Sequence, residues 1–187
     1  FSVIAVIAAL YLAVAVVIIA GGAVMVAGPL SAFPGGWAAA IPVGLGVMGL
    51  QDVFFQLRLA FDAPEAQALS AQIAEEIYFH ALTMSADLAD EKGAHASFAE
   101  TRAARGELQF DAWGVVPSDQ LRWTALRERI VKTGLRNSLL LAIAPTATIS
   151  NICGVAQSIE PNYQNLYVKS NMSGDFTVVN AFLVRDL

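Results

Sequence analysis

The rhythm of apolar and polar positions changes several times along the chain, and each change predicts an element. From Val3 to Ala27 the residues VIAVIAALYLAVAVVIIAGGAVMVA run without a charge. As a helix this run would measure about 37 Å at ~1.5 Å per residue, more than a hydrocarbon core of about 30 Å, so its length admits a tilted membrane span. It lacks the basic start and short apolar core of a secretory signal peptide, and no Lys or Arg flanks it to set an orientation. A buried or foreign N-terminal extension accounts for the same residues. Gly28-Pro29 and Phe33-Pro34-Gly35-Gly36 break any helix, dividing an apolar extension, residues 1–40, from residues 41–187.

After the boundary the pattern becomes that of alternating helix and strand. Ile41 to Gly49 is short, apolar and glycine-rich, which predicts a buried strand that turns into a helix near Leu50. Pro64 and Glu65 open a long helix, with Leu69, Ile73, Ile77, Ala81, Met84 and Leu88 on one face; Gly93 ends it. His80 lies beside that stripe as a core or partly exposed histidine, and Asp87 to Glu91 form a solvated face. Ala94 to Gly114 is a polar connection anchored by Phe98, Phe110 and Trp113. Pro117-Ser118-Asp119 caps a second helix, with Leu121, Ala125, Leu126 and Ile130 inward and Arg122, Arg127 and Arg129 outward; Gly134 closes it. Ser138 to Ala144 is then a continuous apolar run of strand length, the pattern of a strand covered on both faces. The alternation predicts an α/β architecture.

Charge sharpens the division. The first charged residue is Asp52, so all 11 Lys+Arg and all 16 Asp+Glu lie in the last part of the chain. A net charge of −5 without a basic cluster excludes nucleic-acid binding as the main activity. One cysteine forms no internal disulfide, and the two histidines, His80 and His95, supply no metal-ligand set, so no metal site is expected. Gly44, Gly46 and Gly49 spell Gly-x-Gly-x-x-Gly, but no acidic strand end follows about 20 residues on, so a dinucleotide site is disfavoured.

Candidate chemistry sits in Pro145-Thr-Ala-Thr-Ile-Ser-Asn-Ile152, a hydroxyl-rich turn that follows the predicted strand and leads into a short helix. A strand end feeding a helix start leaves backbone N–H groups unpaired, and with the helix dipole they form an anion cradle. Thr146, Thr148 and Ser150 could add hydroxyl donors. Plain capping by Thr or Ser explains the same residues.

The stretch Arg136-Asn-Ser-Leu-Leu-Leu-Ala-Ile-Ala-Pro-Thr-Ala-Thr-Ile-Ser-Asn-Ile152 resembles the late barrel strand and phosphate loop of the large, catalytic subunit of class I ribonucleotide reductases, most nearly the bacterial type. Ser158-Ile-Glu-Pro161, Asn165-Leu-Tyr-Val-Lys169 and Ser173-Gly-Asp-Phe176 continue the likeness in family order, and Pro42 to Asp52 and Leu108 to Trp113 match upstream. The resemblance implies an incomplete portion of a ten-stranded α/β barrel over residues 41–187, which the apolar N-terminal helix expected from the hydropathy of residues 1–40 would precede. It implies a ribonucleoside diphosphate substrate whose phosphates are held by Thr146, Ala147, Thr148, Ile149 and Ser150. It also implies a homodimer, a small-subunit partner that carries the radical cofactor, no cofactor in this chain, and a cytoplasmic location, with membrane association if Val3 to Ala27 is a true span.

Departures limit what the resemblance carries. The family's chemistry needs a thiyl-forming cysteine and a reducing pair, whereas this chain has Cys153 alone, expected to be a small buried hydrophobe. No catalytic residue is therefore assigned, Glu160 is read as structural, and the 187 residues by themselves are expected to be inactive. Ile41 stands where the family usually has Arg, and Ala181 where it usually has Pro. A partial barrel also leaves apolar faces and strand edges uncovered, which predicts poor solubility. Two other readings remain at this point: a membrane-anchored, non-catalytic nucleotide-binding or interaction protein, and a nicotinamide oxidoreductase built on Gly44, Gly46 and Gly49.

Overall fold

A computed structural model describes residues 46–172 and 174–187. The apolar run Val3 to Ala27, the boundary near residue 40, Ile41 and the strand expected before residue 46 lie outside the described residues. Among the described residues no helix is long and apolar enough to cross a membrane. The elements are helices α1 (Leu50–Leu57), α2 (Pro64–Lys92), α3 (Gln109–Ala112), α4 (Gln120–Thr133), α5 (Ala147–Cys153) and α6 (Ala181–Asp186), with an antiparallel hairpin of β1 (Leu166–Asn171) and β2 (Gly174–Val179). Two short 3-10 turns, Phe98–Glu100 and Ala103–Arg105, interrupt the polar connection. The chain divides into two compact units, one holding Met84–Leu139 and the other the described residues up to Thr83 together with Leu140–Leu187.

The first unit is built on α4. Asp119 caps it by accepting from the Arg122 N–H at 3.0 Å, and Gly134, at φ 83°, stops it where an L side chain would be strained. Its buried side chains are Trp123, Leu126 and Ile130, at the three- and four-residue spacing of one helix face. Leu121 and Ala125, expected inward, are exposed: Trp123 sets the phase, because its indole packs edge-on against Phe110 at 4.8 Å and turns Leu121 out. Phe110 anchors the connection as expected, whereas Trp113 is exposed. The arginines are outward but not idle. Arg127 makes two bonds to Asp111, at 2.9 and 3.0 Å, and Arg129 pairs with Asp87 at 2.6 Å and Asp90 at 3.1 Å, so part of the acidic stretch is an ion-pair surface.

In the second unit Phe54, Ala66 and Leu69 form the core, with Leu50, Val53, Leu57, Leu59, Ala63 and Ile73 packed against them. The α2 stripe holds at Leu69 and Ile73, but farther along Leu82, Ala86 and Ala89 are buried and Met84 is exposed. The two stretches of α2 answer to different neighbours, so no single stripe runs its length. Asn180 fastens the hairpin to α6: its side chain accepts from Phe182 N–H and Leu183 N–H, donates to Asn165 Oδ1 at 2.9 Å, and its own N–H donates to the Asn165 carbonyl at 2.8 Å. Helix α6 also meets α1 through Phe55 and Phe182, 5.2 Å between ring centres, and an Arg58–Asp186 pair at 3.1 Å.

The run 138–144 corrects the expectation of a doubly covered strand. It is extended, with an isolated bridge at Leu141, and Leu139, Leu141 and Ile143 are exposed. An apolar run becomes a buried strand only when partners flank and cover it, and the described residues supply no strand beside it. The described residues thus form helices, connecting turns and one hairpin.

Candidate functional site

Gly46 opens the site by close approach: a Cβ there would lie 2.9 Å from Ala144 Cβ and 3.2 Å from the Ala142 carbonyl oxygen. Only glycine lets residues 46–49 run so near 142–144. Gly49, in the left-handed region at φ 83°, starts α1 and donates its N–H to the Ala156 carbonyl at 2.9 Å. The oxidoreductase reading of these glycines is thereby corrected, since Gly46 backs onto its neighbour and the Gly49 N–H is already bonded; Gly44 lies outside the described residues.

Asp52, in the first turn of α1, accepts from the Ala156 N–H at 2.6 Å. Burial pushes its carboxyl above the ordinary carboxylate range, and the Ala156 N–H partly offsets this. Thr146 caps α5 in the left-handed region, at φ 48° and ψ 23°. Its hydroxyl accepts from the Ser158 N–H at 2.8 Å, and its carbonyl from the Ser150 N–H at 2.9 Å. The hydroxyl's own proton remains available to a further acceptor.

The residues expected to hold phosphate therefore form a helix start. The N–H groups of Ala147, Thr148 and Ile149 have no hydrogen-bond partner among the described residues, and all three residues are exposed. Ser150 behaves differently from the other four: it is fully buried, its N–H goes to Thr146 and its hydroxyl to the Ala147 carbonyl at 3.3 Å. Sequence reasoning grouped it with the loop because its residue type matches; its place one turn into α5 points it inside.

Cys153 is exposed, which corrects the expected burial: it ends a short helix whose last turn is uncovered, as Ile152 at 79% exposure also shows. Glu160 is exposed and accepts from the Tyr163 hydroxyl at 3.4 Å. His80 is exposed and sits 3.5 Å from Glu76. Two residues escaped sequence reasoning. Asp52 had no local signal for a partner 104 residues away, and Lys169, on β1, donates to Asn151 Oδ1 at 2.8 Å while Asn151 donates to the Ala147 carbonyl at 2.6 Å. Among the described residues no group of three or more His, Cys, Asp or Glu is placed to hold a metal ion.

Residues 29–187 match the family model described as "Ribonucleotide reductase, barrel domain". The chain is 45% identical over 146 residues to the "Ribonucleoside-diphosphate reductase large subunit" of Caenorhabditis elegans, covering 78% of this chain and 18% of that protein. To the protein of the same name in Arabidopsis thaliana it is 47% identical over 146 residues, with the same coverage, and to that of Dictyostelium discoideum 47% over 147 residues, covering 78% and 17%. The chain thus spans less than a fifth of the length of these relatives.

Proposed function

Because the chain belongs to the ribonucleotide reductase barrel-domain family, we propose that it supplies the diphosphate-holding part of a ribonucleoside-diphosphate reductase large chain. One observation carries the reading: at the start of α5 the N–H groups of Ala147, Thr148 and Ile149, three exposed residues, have no hydrogen-bond partner among the described residues. Amide donors fixed by a turn bind a phosphate oxygen with little ordering cost, and the helix dipole favours its negative charge. Thr146 adds a hydroxyl whose oxygen accepts from the Ser158 N–H, which leaves its proton to be donated to a phosphate oxygen. Thr148, an exposed residue, contributes a second hydroxyl.

The loop's work is to bind and orient. It grips the phosphates and leaves the sugar to other groups, which is how binding energy remote from the reacting atoms aids a reaction. The reduction itself requires one cysteine to start a sugar radical and two to supply electrons. This chain carries Cys153 alone, exposed at the end of α5, and it takes no part. The ribonucleoside diphosphate, the small-subunit partner with its radical cofactor and the homodimer belong to the same proposal, as does a cytoplasmic setting.

Titration of the chain with ADP, followed by backbone amide NMR, tests the reading. Saturable shifts centred on Ala147, Thr148 and Ile149, weakened by salt, are the expected result. Shifts confined to other residues, or none at millimolar ADP, would refute it.

A further inference from the structure

The start of α1 is linked to the cap of α5 through one short return segment, Gly154–Ser158. Ala156 is held at both of its backbone polar groups, its N–H by the Asp52 carboxylate at 2.6 Å and its carbonyl by the Gly49 N–H at 2.9 Å. Two residues on, the Ser158 N–H reaches the Thr146 hydroxyl at 2.8 Å. Ser158 and Thr146 both lie in the left-handed region, each at φ 48°. A β-branched residue does not adopt that conformation by its own preference, so its surroundings impose it. Nor does Ser158 hold itself there by its side chain: its hydroxyl is buried without a hydrogen-bond partner among the described residues. What remains is the backbone segment that Asp52 and Gly49 pin.

We propose that Asp52 is a positioning residue for the phosphate loop: by fixing Ala156 it places the Ser158 N–H, which sets the hydroxyl and the left-handed backbone of Thr146. Asp52 does not touch the substrate. The inference rests on the phosphate reading above. Its chemistry suits the task, since a carboxylate oxygen accepts a backbone N–H more strongly than a neutral acceptor does, and the 2.6 Å separation is that of a charge-assisted bond.

The test compares ADP binding to the wild-type chain, Asp52→Ala and Asp52→Asn, with hydrogen exchange read at Ala156 and Ser158. Asn keeps an oxygen that can accept the Ala156 N–H, whereas Ala removes it. The expected result is a loss of about tenfold or more in ADP affinity for Asp52→Ala, together with fast exchange at both amides. Asp52→Asn should bind within about threefold of wild type, a rescue that general loss of structure would not produce. Wild-type affinity in Asp52→Ala alongside fast exchange at Ala156 overturns the proposal and leaves the phosphate reading standing. Failure of the wild-type chain itself to bind ADP removes the phosphate reading and this proposal with it. Should Asp52→Ala not fold, the wild-type chain answers alone: the Ser158 and Thr146 amide signals should move as Asp52 ionises, and their indifference overturns the proposal.

Discussion

Replacing Gly46 by alanine probes the close approach on which the loop is built. The new methyl carbon would stand 2.9 Å from Ala144 Cβ, 3.2 Å from the Ala142 carbonyl oxygen and 3.3 Å from the Ala144 nitrogen. Carbon atoms prefer a separation of about 3.5 to 4.0 Å, and every atom involved is fixed by the backbone, so no rotamer relieves the clash. The strands of chain must separate, at the roughly 1–3 kcal/mol typical of overpacking. Three residues on lies the bond from Gly49 N–H to the Ala156 carbonyl, which makes the Gly49 amide a local reporter. Its native-state hydrogen exchange should quicken about 5- to 150-fold, the range that this free energy implies. Ala144→Gly removes the nearest atom, and added to Gly46→Ala it should recover about 1 kcal/mol, the carbonyl contact remaining. Unchanged exchange in Gly46→Ala, or no coupling between the two sites, would refute the packing account.

Two further predictions concern charge and backbone. His95 is buried, donates its backbone N–H to the Leu135 carbonyl and meets Phe98 edge-on with its ring; burial first, and then the Arg136 charge, lower its pKa below the ordinary 6.5. A depressed histidine leaves stability intact above the unfolded value and removes it as pH falls through the folded one, so the first unit should weaken below about pH 6.5. In His95→Gln, melting monitored by tryptophan fluorescence should lose that acid dependence, and an identical decline in wild type and variant would rule His95 out as its source. Ala181→Pro should stabilise α6 by about 0.4–1 kcal/mol. Ala181 is the first helical residue, its N–H has no partner among the described residues, and Asn180 before it is extended at φ −68°, ψ 105°. A fall in the Leu183 amide's protection would contradict this.

Legibility followed the reach of each signal. Leu50, Pro64, Gly93, Asp119 and Gly134 bound their helices where local chemistry places them, because a cap or a left-handed glycine acts within one turn. The phase of a buried face was less legible. Leu121 gave way to Trp123, and Met84 to Leu82 and Ala86, because neighbours distant in sequence decide which side turns in. The run 138–144 carries the composition of a covered strand, yet composition cannot supply the cover. At the site, the turn from Pro145 into α5 was legible down to its unpartnered amides among the described residues, whereas the buried placement of Ser150 and the reach of Asp52 to Ala156 needed three dimensions.

The two left-handed residues, Thr146 and Ser158, answer differently to the same relief of strain. Glycine at either position would relax the backbone by about 1–2 kcal/mol. At position 146 the same exchange would delete the oxygen that Ser158 holds. A library selected only for heat resistance should drift toward glycine at 158, whose hydroxyl has no partner among the described residues, and should keep threonine or serine at 146, where glycine would leave the buried Ser158 N–H without its acceptor.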